Sequence, residues 1–391
     1  MSIDRVKENQ AVIERIESFL TTGYESNPEF NAVLNGEAPI SIRSLKDQKA
    51  SYSYEVGEIL YWVDRASYLD ELESWNGEQI RSNHSLAIAF LEESHQEAVL
   101  RDLVDAIRKR RVAPFIGAGV SSAAGYPLWG SALKMLIAKH RLAGLEVTAI
   151  EAAIDRFDFL EAAQQLYEQL PKGVDNFIHT EFRLKNDDEP EIKKGYPYLI
   201  ELLPRLSSGC VVTTNFDKLI ETFLREGDRS LVDGCMLGDK QGIEFVHRLL
   251  NGDRCILKLH GEHSRPDTHV FTREQYERAY GAAFDFSKEL PKALRQIYIS
   301  NSLLFVGCSL EQDRTLDLFA HVIASKQFEI PKHFAFLPDP KNGPLKQAKE
   351  NRLLELNIQP IWYRVEEHDH SMLTLLVDLA VDMAERKVSL K

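Results

Sequence analysis

The chain has 391 residues, of which 44% are hydrophobic, and it carries a formal net charge of −13. This length is enough for two or three domains, and the apolar content supports a large core without disulfide or metal support. The acidic balance argues against a non-specific nucleic-acid binder, which normally carries a basic face. No uninterrupted apolar stretch approaches the length that spans a bilayer. We therefore expect a globular protein that binds neither nucleic acid nor membranes directly.

The first hundred residues differ from the rest in charge. They hold 8 Lys/Arg and 18 Asp/Glu, so they carry −10 of the total charge of −13. Apolar spacing predicts an amphipathic helix over residues 1–24 and further helices over 56–75 and 85–110, with a turn-rich segment over 25–45. A solvated helical face is the simpler explanation of the charge itself. We nevertheless expect residues 1–100 to form a distinct, mainly helical region for oligomerisation or partner docking.

From residue 111 the pattern changes to short apolar runs that end in small or polar residues. Such runs, separated by helical segments, are typical of buried parallel strands. The predicted fold is therefore α/β: a Rossmann-like parallel sheet in residues 101–391, with a helical insertion over about 131–203, preceded by the α-helical N-terminal region. The predicted strands are Val112–Ile116, Cys210–Thr213, Cys255–Leu259, Leu303–Val306, His333–Leu337 and Pro360–Arg364.

The cysteines and the N-terminus bear on the compartment. None of the four cysteines lies within a C-x-x-C spacing, so a zinc ribbon is not expected. Unpaired thiols fit a reducing cytosol. The first residues lack the apolar core of a signal peptide. We therefore expect a cytoplasmic protein.

Four of the predicted strands are followed at once by small, polar or ionisable residues, and parallel strands bring such ends into one ligand crevice. The first motif is G-A-G-V-S at 117–121, where glycines let the backbone approach a pyrophosphate. A structural strand–helix turn explains it about as well. The fourth is G-C-S-L at 307–310, which suits the adenosine half of a dinucleotide or, again, a tight turn.

The second and third motifs carry the reactive side chains. In T-T-N-F-D at 213–217, Asn215 and Asp217 can bind ribose hydroxyls or orient a water. The alternative is a helix N-cap, which Asp217 suits, leaving Asn215 to face the ligand. In K-L-H-G at 258–261, His260 has a side chain suited to general acid–base work. Most lone histidines are structural, but this one stands at a strand end among the other motifs.

Taken in order, the four motifs resemble those of the sirtuin (silent-information-regulator) superfamily, which reads G-A-G-x-S, T-x-N-x-D, H-G and G-x-S. The resemblance covers roughly residues 105–380. It implies that the chain binds NAD at the carboxyl edge of the sheet and breaks the nicotinamide–ribose bond. The implied binding residues are Gly117, Ala118, Gly119 and Ser121 at the pyrophosphate, Asp217 with Asn215 at the nicotinamide ribose, Gly307 and Ser309 at the adenosine, and Thr214 as a further NAD-binding residue; the implied catalytic residues are Asn215 and His260.

Two departures from the family narrow this expectation. The zinc-ribbon cysteines are missing, and the family's G-I-P-D-F-R becomes G-Y-P-L-W-G at 125–130. Both disfavour protein deacylation. The chain instead resembles divergent bacterial sirtuin-like proteins that degrade NAD in antiphage defence, as does its F-T-R-E-Q-Y stretch at 271–276. Such proteins often form oligomers or act with a partner such as a HerA-type ATPase.

We therefore expect an NAD glycohydrolase that releases nicotinamide and ADP-ribose, with NAD as substrate and no metal ion. Two alternatives stay open at this point. One is an NAD-dependent deacylase or ADP-ribosyltransferase that uses the same pocket. The other is a non-catalytic subunit that binds NAD or ADP-ribose within a larger assembly.

Overall fold

A computed structural model describes the chain over residues 9–36, 38–47, 49–156, 158–183, 197–225, 229–311, 314–367 and 369–390. The chain divides into two compact units, Met1–Ser85 and Leu86–Lys391. The division falls earlier in the chain than residue 100. Each unit has its own apolar core.

The first unit is built around a small aromatic core. Phe30, Tyr61 and Tyr68 are buried, and the rings of Tyr61 and Tyr68 meet edge to face with centroids 4.9 Å apart. The predicted helix over 1–24 is present from Gln10; residues 1–8 lie outside the described part of the chain. The segment predicted as turn-rich contains a second helix and the first strand of a hairpin. The elements are α1 (Gln10–Glu25), α2 (Pro28–Asn35), β1 (Ile40–Arg43), β2 (Ser51–Tyr54), α3 (Val56–Val63) and α4 (Arg65–Asn83).

The second unit is an α/β fold around one eight-stranded sheet. All neighbouring strands are parallel except the edge pair β5–β6, and the order is β10-β9-β8-β3-β4-β7-β5-β6. The six predicted strands are all present, so the predicted fold class is confirmed. The structure adds two short strands at one edge of the sheet, β5 and β6, that were not predicted. The strands are β3 (Val112–Ile116), β4 (Val211–Thr213), β5 (Cys235–Leu237), β6 (Lys240–Gln241), β7 (Ile256–Lys258), β8 (Ser302–Val306), β9 (His333–Pro338) and β10 (Ile358–Tyr363).

Helices cover the sheet, and their apolar faces explain where they lie. Leu100, Leu103, Val104 and Ile107 recur at helical spacing on one helix, and all four are buried. The helices are α5 (Ser85–Ser94), α6 (Glu97–Arg108), α7 (Ala118–Ser122), α8 (Trp129–Leu142), α9 (Thr148–Asp155), α10 (Phe159–Gln169), α11 (Pro171–Glu181), α12 (Tyr198–Glu201), α13 (Leu203–Leu206), α14 (Leu219–Arg225), α15 (Phe245–Asn251), α16 (Arg273–Tyr280), α17 (Glu289–Ser300), α18 (Arg314–Ala324), α19 (Gly343–Glu355) and α20 (Ser371–Ala384).

The predicted helical insertion between the first two strands of the sheet is present as α8 to α13. Residues 184–196, which fall within it, lie outside the described part. Among the residues described, none of the helices combines the length and the apolar character that crossing a bilayer requires.

The sheet order identifies where a ligand would bind. From β3 the chain crosses to β4 on one side, and from β8 it crosses to β9 on the other side. Strands β3 and β8 are neighbours, so the direction of winding reverses between them. In doubly wound sheets this reversal opens a crevice at the carboxyl ends of the strands. All four motifs follow strands at this edge: β3, β4, β7 and β8.

Candidate active site

The two glycine motifs pack directly against each other at the switch point. The amide of Gly117 donates to the carbonyl of Val306 at 2.9 Å, and the amide of Gly119 donates to the carbonyl of Gly307 at 2.9 Å. A Cβ on Gly117 would lie 2.4 Å from the carbonyl oxygen of Gly307, whose own φ is +69°. Glycine at 117 and 307 is therefore required by the contact between the loops. Ala118 is half-buried and Gly119 is exposed, so these two line the open side.

The second glycine loop is anchored from behind by α19. Lys349 Nζ donates to the carbonyl of Ser309 at 2.7 Å, and Arg352 donates to the carbonyl of Leu310. Ser309 itself is exposed. Its hydroxyl therefore lies at the rim of the crevice, while its backbone belongs to the frame.

Asn215 connects the loop after β4 to the loop after β3. Its side-chain Nδ2 donates to Ser121 Oγ at 2.8 Å and to the carbonyl of Gly117 at 3.2 Å. Its backbone amide donates to Thr213 Oγ1 at 3.1 Å, and its Oδ1 accepts from Thr214 Oγ1 at 3.4 Å. Both Nδ2 hydrogens are thus used within the protein. Asn215 can therefore bind a hydroxyl or a water only through Oδ1. The hydroxyl of the buried Ser121 accepts a hydrogen bond from Asn215 Nδ2.

Asp217 has the capping role that its position suggested. Its buried carboxylate accepts from the amide of Leu219 at 3.1 Å, at the start of α14. Its carbonyl accepts from Lys258 Nζ. In this structure Asp217 thus fixes the loop that carries Asn215.

The surroundings of His260 favour the neutral form of its ring. Burial lowers its pKa to about 4, opposed by a hydrogen bond that the ring makes to the backbone of Thr214. Its Nε2 lies 2.7 Å from Tyr276 Oη. Because Nε2 faces the phenol, the nitrogen that donates to Thr214 is Nδ1. Asn215 and His260 are thus joined through Thr214, and Nε2 carries the lone pair that a base needs.

Aromatic rings surround His260. The centroids of Trp129 and Phe216 each lie 6.0 Å from the imidazole centroid. Phe271 contacts Trp129 at 4.8 Å and Phe216 at 6.4 Å. Aromatic faces exclude water and attract cations, so this aromatic cage of Trp129, Phe216 and Phe271 suits a planar pyridinium. Trp129 lies in the 125–130 stretch where the sequence departs from the deacetylase pattern.

A buried ion pair beneath the site was not predicted. Lys258 Nζ lies 2.5 Å from Glu221 Oε1, and both side chains are almost completely buried. Burial raises the pKa of Glu221, while the charge of Lys258 opposes that rise. Because Lys258 also contacts the carbonyl of Asp217, the pair joins the strand that precedes His260 to the loop after β4. The available signal was a lysine inside the otherwise apolar run 255–259.

Two further histidines after His260 connect this loop to the helical insertion. His269 Nε2 lies 3.0 Å from the carbonyl of Glu262, and its Nδ1 lies 3.3 Å from Asp175 on α11. Burial lowers the pKa of His263 to about 4. Both rings therefore serve packing between the loop and the insertion.

Comparisons with known proteins agree with this architecture. Residues 209–361 match the SIR2-like domain family. The NAD(+) hydrolase ThsA of Bacillus cereus (strain MSX-D12) is 25% identical over 252 residues, which cover 63% of this chain and 47% of the relative. ThsA of Acinetobacter baumannii (strain 532279) is 27% identical over 57% of this chain and 41% of its own length. ThsA of Cytobacillus dafuensis is 26% identical over 55% and 39%.

The resemblance to the sirtuin superfamily is confirmed over the matched segment. That segment contains Asn215, His260 and the second glycine motif, whereas the first glycine motif precedes it. The chain spans less than half the length of the curated relatives it matches.

Proposed function

We propose that the chain hydrolyses NAD to nicotinamide and ADP-ribose. The observation that carries this proposal is the pairing of Asn215 with a neutral His260 through Thr214, inside the aromatic cage. Its relatives are named NAD(+) hydrolases, which supports the same reaction. Because the matches cover less than half of those proteins, the activity is inferred for this chain from the site as well as from the names.

The chemistry requires a held ribose, a shielded leaving group and a base. The bond between C1′ and the nicotinamide nitrogen breaks through an oxocarbenium-like transition state, and nicotinamide leaves as a neutral molecule. Asn215 Oδ1 orients a ribose hydroxyl or the attacking water. His260 removes a proton from one of these. Trp129 and Phe216 exclude bulk water, so the bound water is the nucleophile.

The binding residues divide into two kinds. Ala118 and Ser309 offer groups on the open side and contact the phosphates and the adenosine directly, while Gly119, whose amide donates to Gly307, leaves room for the phosphates because it has no side chain. Thr214 adds its hydroxyl beside the ribose. The remaining four shape the pocket through the backbone or through buried hydrogen bonds; these are Gly117, Ser121, Asp217 and Gly307.

The first test is chromatography of NAD, nicotinamide and ADP-ribose after incubation with purified protein. His260→Ala and Asn215→Ala should each lower turnover by roughly 10²- to 10⁴-fold, the usual range for acid–base catalysis. The matched controls are His247→Ala and Asn251→Ala, two exposed residues that bond each other at 3.1 Å on α15. Wild-type turnover in either site variant would remove that residue from the mechanism.

The same assay separates the rival reactions. No metal ion enters the proposal, so EDTA should leave the rate unchanged; inhibition that a divalent cation reverses would contradict it. Acyl-ADP-ribose or ADP-ribosylated protein as the product would point to the transferase or deacylase reaction. Tight NAD binding without turnover, even in host lysate, would point to a binding subunit.

We also propose a role as a cytoplasmic antiphage effector that depletes NAD and assembles through its N-terminal unit. Every residue of β1 and β2 is exposed, and an isolated two-stranded hairpin is only marginally stable in water. Phe19 is 77% exposed and Ile16 53% exposed on α1. An enzyme that consumes NAD needs control, and a homo-oligomer or a HerA-type ATPase partner would supply it.

This assembly is testable in the full chain. Phe19→Ser combined with Ile16→Ser should shift the mass in solution towards the 44.6 kDa monomer. The control is Leu345→Ser, an equally exposed apolar residue on α19. An unchanged oligomer, or a wild-type monomer that gains no partner in lysate, would contradict the proposed docking surface.

A further inference from the structure

The hydroxyl of Tyr276 is hydrogen-bonded to the ring nitrogen of His260 that would act as the base. Tyr276 Oη lies 2.7 Å from His260 Nε2. With the ring proton on Nδ1, the tautomer that the bond to the Thr214 backbone favours, the hydrogen in this contact belongs to the phenol. The phenol therefore donates to the lone pair that the proposed mechanism uses. A substrate proton can reach that lone pair only by way of the phenol or after the phenol has moved away.

The surroundings of Tyr276 hold it in place. Its side chain is 8% exposed, and its ring stacks on Tyr280 with centroids 5.7 Å apart and an interplanar angle of 16°. It lies on α16, which begins with a capping box formed by Thr272 and Gln275. Rotation of the phenol away from His260 would break the ring stack. The structure therefore favours transfer through the phenol over its displacement.

The helix that carries Tyr276 is also fixed to the insertion. Arg273 on α16 pairs with Glu161 on α10 at 2.8 Å, and the backbone of Glu274 donates to Gln164 at 3.2 Å. Both contacts join α16 to α10, two helices that are far apart in the sequence. They fix the start of α16, the helix that carries the phenol, against α10 of the helical insertion.

We propose that Tyr276 is a proton relay between the attacking water and His260; this inference rests on the proposed NAD hydrolysis. As the oxygen of the water bonds to C1′, the bond from C1′ to the nicotinamide nitrogen breaks and its electron pair leaves with nicotinamide. The water proton passes to Tyr276 Oη while the phenol proton passes to His260 Nε2. The imidazolium then releases one proton to solvent, which balances the hydrolysis of NAD.

The relay predicts a specific kinetic pattern for Tyr276→Phe, which keeps the ring and removes the hydroxyl. Turnover should fall roughly 10- to 100-fold, a part of the usual contribution of acid–base catalysis. The KM for NAD and the melting temperature should change little. Since the relay and the base act as one unit, Tyr276→Phe should add no further loss in the His260→Ala background.

The chain offers a matched control. Tyr363 Oη lies 2.9 Å from His370 Nδ1, so Tyr363→Phe removes the same kind of hydrogen bond outside the four strand-end motifs. Its turnover should equal that of wild type. A proton inventory in mixtures of H₂O and D₂O adds a readout that packing does not affect: a relay gives a curved plot in wild type and a straight one in Tyr276→Phe.

Each outcome is decisive. A fall in kcat alone, with an unaffected Tyr363→Phe, supports the relay. Turnover in Tyr276→Phe that equals or exceeds that of wild type would overturn the relay. The phenol would then have no part in the reaction or would block access to His260. A change confined to KM, or a large drop in melting temperature, would also overturn it in favour of a binding or packing role. If wild type hydrolyses no NAD even in lysate, the proposed function fails and the relay fails with it.

Discussion

The two halves of the crevice are built by different means. On the β3–β8 side, main chain meets main chain, and Gly117 and Gly307 leave no room for a side chain between the loops. On the β4–β7 side, polar side chains form the frame: Asn215 and the Lys258–Glu221 pair are buried, His260 is half-buried, and each is bonded inside the protein.

The comparison shows that one crevice can depend on steric and on electrostatic forces at once. The contact between Gly117 and Gly307 responds to volume and is insensitive to pH, because it joins main chain to main chain. A side-chain frame tolerates changes of shape better but depends on charge, since each buried polar group needs its partner. The proposed chemistry uses the second half, where groups can exchange protons.

The largest effect should come from removing the buried lysine of the side-chain half. Lys258→Met leaves the Glu221 carboxylate buried without its partner, which typically costs about 3–5 kcal/mol. Urea unfolding measures this loss. The control is Lys332→Met, whose pair with Asp102 is exposed and should contribute about 1 kcal/mol or less. Similar losses in the two variants would contradict the distinction between buried and exposed pairs.

A steric change in the backbone half should come next. Gly117→Ala places a Cβ 2.4 Å from the carbonyl of Gly307, so the loops must separate. Overpacking of this kind typically costs about 1–3 kcal/mol, and NAD hydrolysis should fall with the distorted frame. Gly343→Ala, where a Cβ meets nothing within 4 Å, is the control for the thermal melt. Equal melting temperatures for Gly117→Ala and Gly343→Ala would show that the two glycine loops can move apart without loss of stability.

The smallest expected effect is a loss of stability in acid, to which His260 of the side-chain half contributes. The base is active when neutral, and the pKa of His260 is about 4, so kcat/KM should stay level from about pH 8 to 5.5. The free energy of unfolding should fall over the same range below about pH 6.5, because the unfolded histidine takes up a proton there and the folded one does not.

The pH series needs one variant to assign its effects. His333 is buried at the start of β9, outside the four motifs, and its pKa is lowered to about 3. His333→Asn should therefore weaken the acid-induced loss of stability and leave the pH profile of hydrolysis unchanged. An inflection of kcat/KM near pH 6.5 in wild type would contradict a base that stays neutral over this range.

Part of the site was open to prediction and part was not. The strand-end positions of Asn215 and His260 follow from local patterns, because an apolar run followed by polar residues predicts a strand end. Tyr276 was visible only as part of the stretch at 271–276. Its hydroxyl became meaningful through a contact with a residue sixteen positions away. The roles of Asn215 and His260 stay predictions.

The sequence by itself determined the six main strands, the helical insertion and the order of the four motifs. These depend on the spacing of apolar residues and on turn chemistry, which act over short distances along the chain. Only the tertiary structure decided that Gly117 meets Gly307, that Asn215 holds Ser121, and that Lys258 needs Glu221. The physical reason is that these contacts join segments far apart in sequence, and a buried polar group must find its partners within the protein.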